Sequence, residues 1–438
     1  MSRPWAIPLL TRLAIGALLL CPTPVPAAAP PADAGALGGA LDAWVKPMAD
    51  QGLLSGNLLI ARRGGILLER SWGMADAGKG LPNAPEVPSC IASITKPMTV
   101  ILAIKLMEER KLGYTDPLSK WIPEFPQGDS ITIEHLLRHR SGIPHRVTSD
   151  GDETKPHTAA DMVEFAGKVP LLFKPGEGNS YSSAGFSVLV RVLELASGMS
   201  YGELLREGLL RPLGLDQTFH PDANAPDLPR AASYVPVAGG VEPAPFQDLS
   251  FLVGAGSLFS TTRDLNRLLW ADVSGQLGEG ARQSALRGSK INWNGSTNGY
   301  RAFADYDTMT GYAVIFAGNL HCGAVDQMRS AIEQLLAGQT PGPPVLPPAH
   351  PAAVDPALLR SYDGLYDVAG SPRLAVRATD SGLDVNGWAL VATADSTFFS
   401  LRDFATVKAV GNGHGRLERF DWILGGQIFP CPRVGDLP

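Results

Sequence analysis

The chain has 438 residues and a formal net charge of −6, with 45% apolar and 18% charged residues. That length exceeds one ordinary core, so two domains of unequal size are expected. The mildly acidic balance excludes a basic footprint for nucleic acid or an anionic membrane surface and leaves a small molecule as the expected partner.

Arg3 and Arg12 precede the apolar run Leu13-Ala14-Ile15-Gly16-Ala17-Leu18-Leu19-Leu20, and a Pro/Ala stretch with Ala27 and Ala29 follows. This order marks residues 1–29 as a secretory signal, and the run is too short to span a bilayer. An exported chain, periplasmic or secreted, with no integral membrane segment after signal removal is expected. Leu20 stands before Cys21 where a lipoprotein signal places a small residue. Cys90, Cys322 and Cys431 then remain, so at most one disulfide can form, with its pairing open.

Residues 41–48 read as a helix, and residues 56–61 and 65–70 read as a hairpin around Arg62-Arg63-Gly64. Residues 94–111 form the clearest helix, with Val100, Ile101, Ile104, Leu106 and Met107 on a wide apolar face. A loop-rich, partly helical stretch, 114–262, follows. Strands are expected at 299–304 and 311–317, then a helix at 324–336. Strands at both ends with helices between them imply an α+β fold, an antiparallel sheet flanked by helices with a helical lobe, whose terminal strands pair.

This main domain spans 36–338. Residues 339–356 carry Pro341, Pro343, Pro344, Pro347, Pro348 and Pro351 and make a stiff linker. Short strands at 373–376, 382–385, 397–401 and 417–424 make residues 357–438 a small antiparallel β domain. Its aromatics, Trp388, Phe398, Phe399 and Trp422, read as its own core.

Ser93-Ile94-Thr95-Lys96 places a hydroxyl and an amine three residues apart at a helix start, on one helical face. There the amine can take the proton of the hydroxyl, and the helix N-terminus favours a developing anion. A lone S-x-x-K is expected about once by chance in a chain this long, and an N-cap serine with a surface lysine is its bland reading.

Four more segments follow in order: Leu136-Leu137-Arg138-His139-Arg140-Ser141-Gly142-Ile143-Pro144, Pro175-Gly176-Glu177-Gly178-Asn179-Ser180-Tyr181-Ser182-Ser183-Ala184-Gly185-Phe186, Pro212-Leu213-Gly214-Leu215 and Gly256-Ser257-Leu258-Phe259-Ser260-Thr261. With the first motif they resemble the serine β-lactamase-like family: class C β-lactamases, penicillin-binding carboxypeptidases, D-aminopeptidases and family VIII carboxylesterases. The resemblance covers residues 38–337. It implies Ser93 as acylated nucleophile, Lys96 as its activating partner and Tyr181 as a proton relay, with the pKa values of both partners lowered by crowding. No cofactor and no metal are implied, and the histidines are scattered without ligand spacing.

Two departures from the family pattern narrow the substrate. Ser183 stands where Tyr-x-Asn would place an amide, so a contact useful to acylamide substrates is lost while an ester would not miss it. Trp293-Asn294-Gly295, with Gly299-Tyr300 beyond, aligns with the third motif, and Trp293 replaces a carboxylate-binding cation or imidazole. The resemblance then implies an oxyanion hole from the backbone N–H groups of Ser93 and Ser296. His321-Cys322-Gly323 has the His-x-Gly form without a Gly-aromatic pair and is set aside. His139 reads as packing.

The expected function is an exported serine hydrolase acting through acyl-Ser93, a carboxylesterase on a small ester or amide, with β-lactamase or D-amino-acid peptidase activity as the alternative. Two other readings stand beside it. Gly198-Met199-Ser200-Tyr201-Gly202 fits a nucleophile elbow with Ser200 as nucleophile. Ser183 and Trp293 also suit a catalytically weak binding or sensing protein.

Overall fold

The computed structural model describes residues 33–437 except 150, 223–224, 238, 349, 369–370, 381, 412–416 and 425. The expected signal, residues 1–29, and Cys21 lie outside the described residues.

A five-stranded antiparallel sheet organises the main unit. Its strands are β1 (Gly56–Arg62), β2 (Gly65–Trp72), β3 (Lys290–Thr297), β4 (Tyr300–Asp307) and β5 (Tyr312–Gly318), in the order β2-β1-β5-β4-β3. The chain ends of the unit meet at the centre, where β1 pairs with β5 from Gly56↔Gly318 to Arg62↔Tyr312. The expected pairing of terminal strands is therefore present.

Strand periodicity sorts the side chains onto two buried faces. Leu58, Ile60, Phe303, Val314 and Phe316 point to a core closed by α1 (Ala34–Asp50) and a C-terminal helix over 324–336. Leu59, Ala61, Ala302, Ala304 and Ile315 point to the other core, which holds α2 (Thr95–Glu108), α3 (Ser183–Ser197) and α4 (Thr262–Val273). The C-terminal helix is α5 (Ala324–Leu336). Burial on both faces explains why β1 and β5 are near-continuous apolar runs rather than alternating ones.

α2 is less amphipathic than the sequence reading expects. Thr95, Lys96 and Thr99 are buried along with Met98, Ile101, Leu102, Ala103 and Leu106, whereas Val100 and Met107 are only partly buried. Helices pack around most of its circumference, so polarity rather than an apolar stripe distinguishes its functional side.

The C-terminal region goes beyond the four expected strands. β6 (Gly364–Val368), β7 (Ser371–Ala378), β8 (Gly382–Val385), β9 (Trp388–Ala394), β10 (Thr397–Ser400), β11 (Ala405–Gly411), β12 (Leu417–Leu424) and β13 (Gln427–Gly435) form a closed barrel. Closure comes from β6 pairing with β13 at Leu365↔Gly435 and Tyr366↔Arg433. Closing the sheet leaves no open edge to aggregate. β13 escapes sequence reading because Pro430 and Pro432 interrupt it, and β9 because Ala-rich sequence has little strand propensity.

The Pro-rich segment is held at both ends. Trp44 Nε1 donates to the Gly342 carbonyl at 2.7 Å and the Val345 N–H donates to Gln327 Oε1 at 2.9 Å. Further on, the Ala352 N–H donates to Ala392 of β9 at 2.8 Å. The linker runs along α1 and α5 before it reaches the barrel. Cys90, Cys322 and Cys431 are all buried and free.

Candidate active site

Ser93 occupies a single 3₁₀ turn, Ala92–Ile94, at the entrance to α2, and Ile94 gives no side-chain cap. The N-cap reading of this serine therefore fails. Ala92 has φ +43°, a left-handed backbone uncommon for a residue with a Cβ, and so turns the chain sharply just before the hydroxyl. The two-residue strand Ser89–Cys90 pairs with Phe259–Ser260, and the Ile91 N–H donates to the Leu258 carbonyl at 2.9 Å. The Gly256–Thr261 motif thus braces the segment that presents Ser93.

Lys96 lies one turn on and is 5% exposed. Its Nζ reaches the Ala255 carbonyl at 2.8 Å, Ser183 Oγ at 3.1 Å and Ser93 Oγ at 3.3 Å. Burial pushes its pKa down to about 7, since no carboxylate in contact supports the ammonium. As a cation it can donate to all three oxygens. As a neutral amine it keeps two hydrogens for Ala255 and Ser183 and turns its lone pair to Ser93, which is the geometry for taking that hydroxyl's proton.

Tyr181 stands half-exposed just before α3, its hydroxyl next to the Ser93 side chain and its ring 4.6 Å from Lys96 Nζ. Its pKa is raised by partial burial rather than lowered. That corrects the expected mutual lowering: among these two groups only the lysine is brought toward neutrality, because desolvation disfavours the phenolate as it disfavours the ammonium. Tyr181 is consequently a proton donor near neutral pH.

Two histidines fix this corner. His139, with φ +57°, accepts the Ser182 N–H on Nδ1 at 3.2 Å and lies 4.5 Å from the Tyr181 ring. His145 accepts the Ser183 N–H on Nδ1 at 3.3 Å, with its ring 5.5 Å from Tyr181. Burial, with Lys96 next, lowers both pKa values, His139 to about 4, so both imidazoles are neutral and hold the tyrosine from two sides. His139 packs, as its sequence context suggests.

The opposite wall is β3. Its exposure alternates, with Ile291, Trp293 and Gly295 buried and Ser296 outward. Gly295 crosses so close to the segment that carries Ser93 that an added Cβ would lie 2.1 Å from the Ile91 carbonyl oxygen and 3.3 Å from the Ser93 nitrogen. Trp293, 8% exposed, packs in the core that holds Ile91, Ile94 and Met98. It therefore underpins the strand and does not join the residues that line the open cleft.

Ser93, Ser183 and Ser296 share that cleft of about 730 Å³ with His321. Sequence reading set His321 aside, yet its ring sits 3.2 Å from Ser296 Oγ through Nε2 and 3.2 Å from the Thr297 carbonyl through Nδ1. Burial, then Arg402 and Arg301, pushes its pKa down to about 3. Nδ1–H donates to Thr297 and Nε2 accepts from Ser296, so a neutral imidazole ties the end of β5 to β3. His321 follows the last sheet strand by three residues, a position no local motif marks.

Asn386, Trp388 and Arg402 of the barrel line the same cleft. Trp388 meets His321 edge-on at 5.0 Å and carries the Arg402 guanidinium at 4.5 Å. This corrects the assignment of Trp388 to the barrel's own core. Ser200, the competing nucleophile, caps residues Tyr201–Leu205 on the surface, with its hydroxyl bound to Glu203 Oε2 at 2.8 Å. It faces none of these groups, and the elbow reading is discarded. Among the described residues no cluster of potential ligands could hold a metal ion.

Comparison with known proteins places this geometry. The chain is 32% identical over 183 residues to penicillin-binding protein 4* of Bacillus subtilis, covering 41% of this chain and 40% of that protein. It is 30% identical over 202 residues to esterase EstB of Burkholderia gladioli, covering 42% and 51%. The chain thus spans about half the length of these relatives. Among solved structures, the octameric penicillin-binding protein homologue from Pyrococcus abyssi superposes with a TM-score of 0.61 at 20% identity, covering 91% of this chain and 99% of that one, a likeness of fold. The Beta-lactamase family model matches residues 41–318, more than half of the sequence, and this chain belongs to the β-lactamase family.

Proposed function

We propose that this protein is an exported carboxylesterase that hydrolyses small esters through an acyl-Ser93 intermediate. One observation carries the reading: a buried amine with a pKa near 7 lies 3.3 Å from a hydroxyl presented on a strained turn. Neutral Lys96 takes the Ser93 proton as Oγ attacks the ester carbonyl. The oxyanion is held by the N–H groups of Ser93 and Ser296, which the crossing at Gly295 brings together. Tyr181, protonated, gives its proton to the departing alkoxide and recovers one through Lys96. Water then repeats the sequence on the acyl group, returning Ser93 and releasing the acid.

Esters are favoured over amides because Ser183 supplies only a short hydroxyl already bound to Lys96. An ester's alkoxide leaves readily, so fewer donors are needed. Export is inferred from residues 1–29; among the described residues no helix is long and apolar enough to cross a membrane.

The test uses p-nitrophenyl butyrate against a chromogenic cephalosporin, with an alkyl fluorophosphonate as active-site label. Ester kcat/KM should exceed that of the cephalosporin by at least a hundredfold, the label should sit on Ser93, and Ser93→Ala should lose about a thousandfold or more. Equal rates on both substrates would overturn the ester preference, and an unlabelled Ser93 would favour the binding-protein reading.

A further inference from the structure

The barrel holds a second cavity of about 510 Å³. Val368, Leu374, Val385, Leu390, Trp422 and Phe429 give it apolar walls drawn from six different strands, β6, β7, β8, β9, β12 and β13. A space walled from so many strands is the bore of the barrel, not a groove between two of them. The register supports this: Trp422 faces Phe429 directly across β12 and β13, and Phe420, two residues before Trp422, faces the buried Cys431. These four side chains share the inner face. The deep end is filled by Tyr366, Phe398 and Phe420. Among the described residues the other end is not, for Phe429 points inward and is still 43% exposed.

The open end is also where the catalytic cleft begins. Asn386, Trp388 and Arg402 line both spaces. The polar groups Asn386 and Arg402 stand at this shared mouth, while the walls beyond it are mostly apolar. The two spaces together are polar where the serine lies and apolar away from it. Eight-stranded barrels have interiors of the size that holds one small ligand, and the volume here falls within the usual range of ligand pockets.

We propose that the barrel bore binds the apolar end of an amphiphilic ester, a medium- or long-chain acyl or alkyl group, and threads its carbonyl past Trp388 to Ser93. The proposal rests on the esterase reading for the reaction but not for the binding. The chain would displace water from Leu374, Trp422 and Phe429, and each methylene buried adds to affinity. The bore thus measures the hydrocarbon chain while the cleft performs the chemistry.

Two measurements test it. First, decanoic acid carrying a terminal diazirine is photoactivated with the unsubstituted protein, and the labelled peptide is identified. Label within residues 364–435, displaced by excess decanoate, is expected; label confined to residues 33–338, or no displaceable label, overturns the proposal. Second, Leu374→Trp and Val368→Trp each fill the bore, with near-UV circular dichroism to show that the barrel is folded. The ratio of kcat/KM for p-nitrophenyl decanoate over acetate should fall at least tenfold in a folded variant, and an unchanged ratio overturns the proposal. If either variant misfolds, the photolabel still decides. Failure of the esterase reading would appear as no hydrolysis of either ester with barrel labelling intact, whereas failure of the bore would leave acetate hydrolysis intact with no label in the barrel.

Discussion

Lys96 owes its lowered pKa to what surrounds it. Its neighbours within hydrogen-bond reach are a carbonyl and two hydroxyls, which orient the amine without repaying the loss of water around its charge. Below about pH 7 it keeps its proton and cannot take that of Ser93, so kcat/KM should fall about tenfold per pH unit on the acid side, as a pH–rate profile would read. Stability follows the same proton. The folded pKa of about 7 lies below the unfolded value of about 10.4. Between these two values the unfolded chain binds more protons, so stability rises with pH across that window, and the penalty is full below pH 7. Lys96→Met should therefore abolish turnover yet raise Tm, by more at pH 6 than at pH 9. A Tm lowered at both pH values would show that the amine's hydrogen bonds outweigh its burial.

Among the elements, β3 depends most on distant contacts. Its sequence carries Asn294-Gly295 in the middle, a pair poorly suited to a strand, and strand structure is imposed by pairing with β4 from Lys290↔Asp307 to Thr297↔Tyr300. The pairing carries Gly295 over the Ile91 carbonyl and sets Ser296 beside Ser93. Gly295→Ala would drive a methyl into backbone that cannot yield, so β3 must lift and the two N–H groups must separate. Ester kcat/KM should drop at least a hundredfold, about 3 kcal/mol of transition-state stabilisation, and Tm should fall with it. Near-normal rates in this variant would place the oxyanion donors elsewhere. α2 shows the reverse dependence: its helical form follows from local sequence, but the polar side that matters is set by α3 and the 254–256 segment closing over it.

At the scale of the whole molecule, the barrel is built into the site rather than hung from it. The loop after β10 lies on the start of α5, where a Cβ at Gly323 would come within 2.9 Å of the Arg402 carbonyl oxygen and 3.0 Å of the Phe404 nitrogen. Phe404 also packs against the core shared by α1 and α5. A single cooperative unfolding transition is expected from such contact. Gly323→Val should wedge the two units apart and split the calorimetric transition into two, and one unshifted transition would mean that the contact contributes little. His321, between Ser296 and Trp388, would feel that separation first.

Elements whose signals are local could be read from the order of the amino acids. The S-x-x-K spacing, the terminal strand pair, helix α2 and the family membership were legible in it, because short spacings and apolar runs report on nearest neighbours along the chain. The mouth of the site was not. His321 comes from the end of the sheet, Trp388 and Arg402 come from the barrel, and no periodicity encodes which face of a closed barrel meets which end of a sheet. The placement of Trp293 in the core and the direction of the Tyr181 shift were likewise tertiary decisions. Burial is a property of the assembled fold, and burial sets which groups stay charged, which stay neutral and which surface a substrate meets.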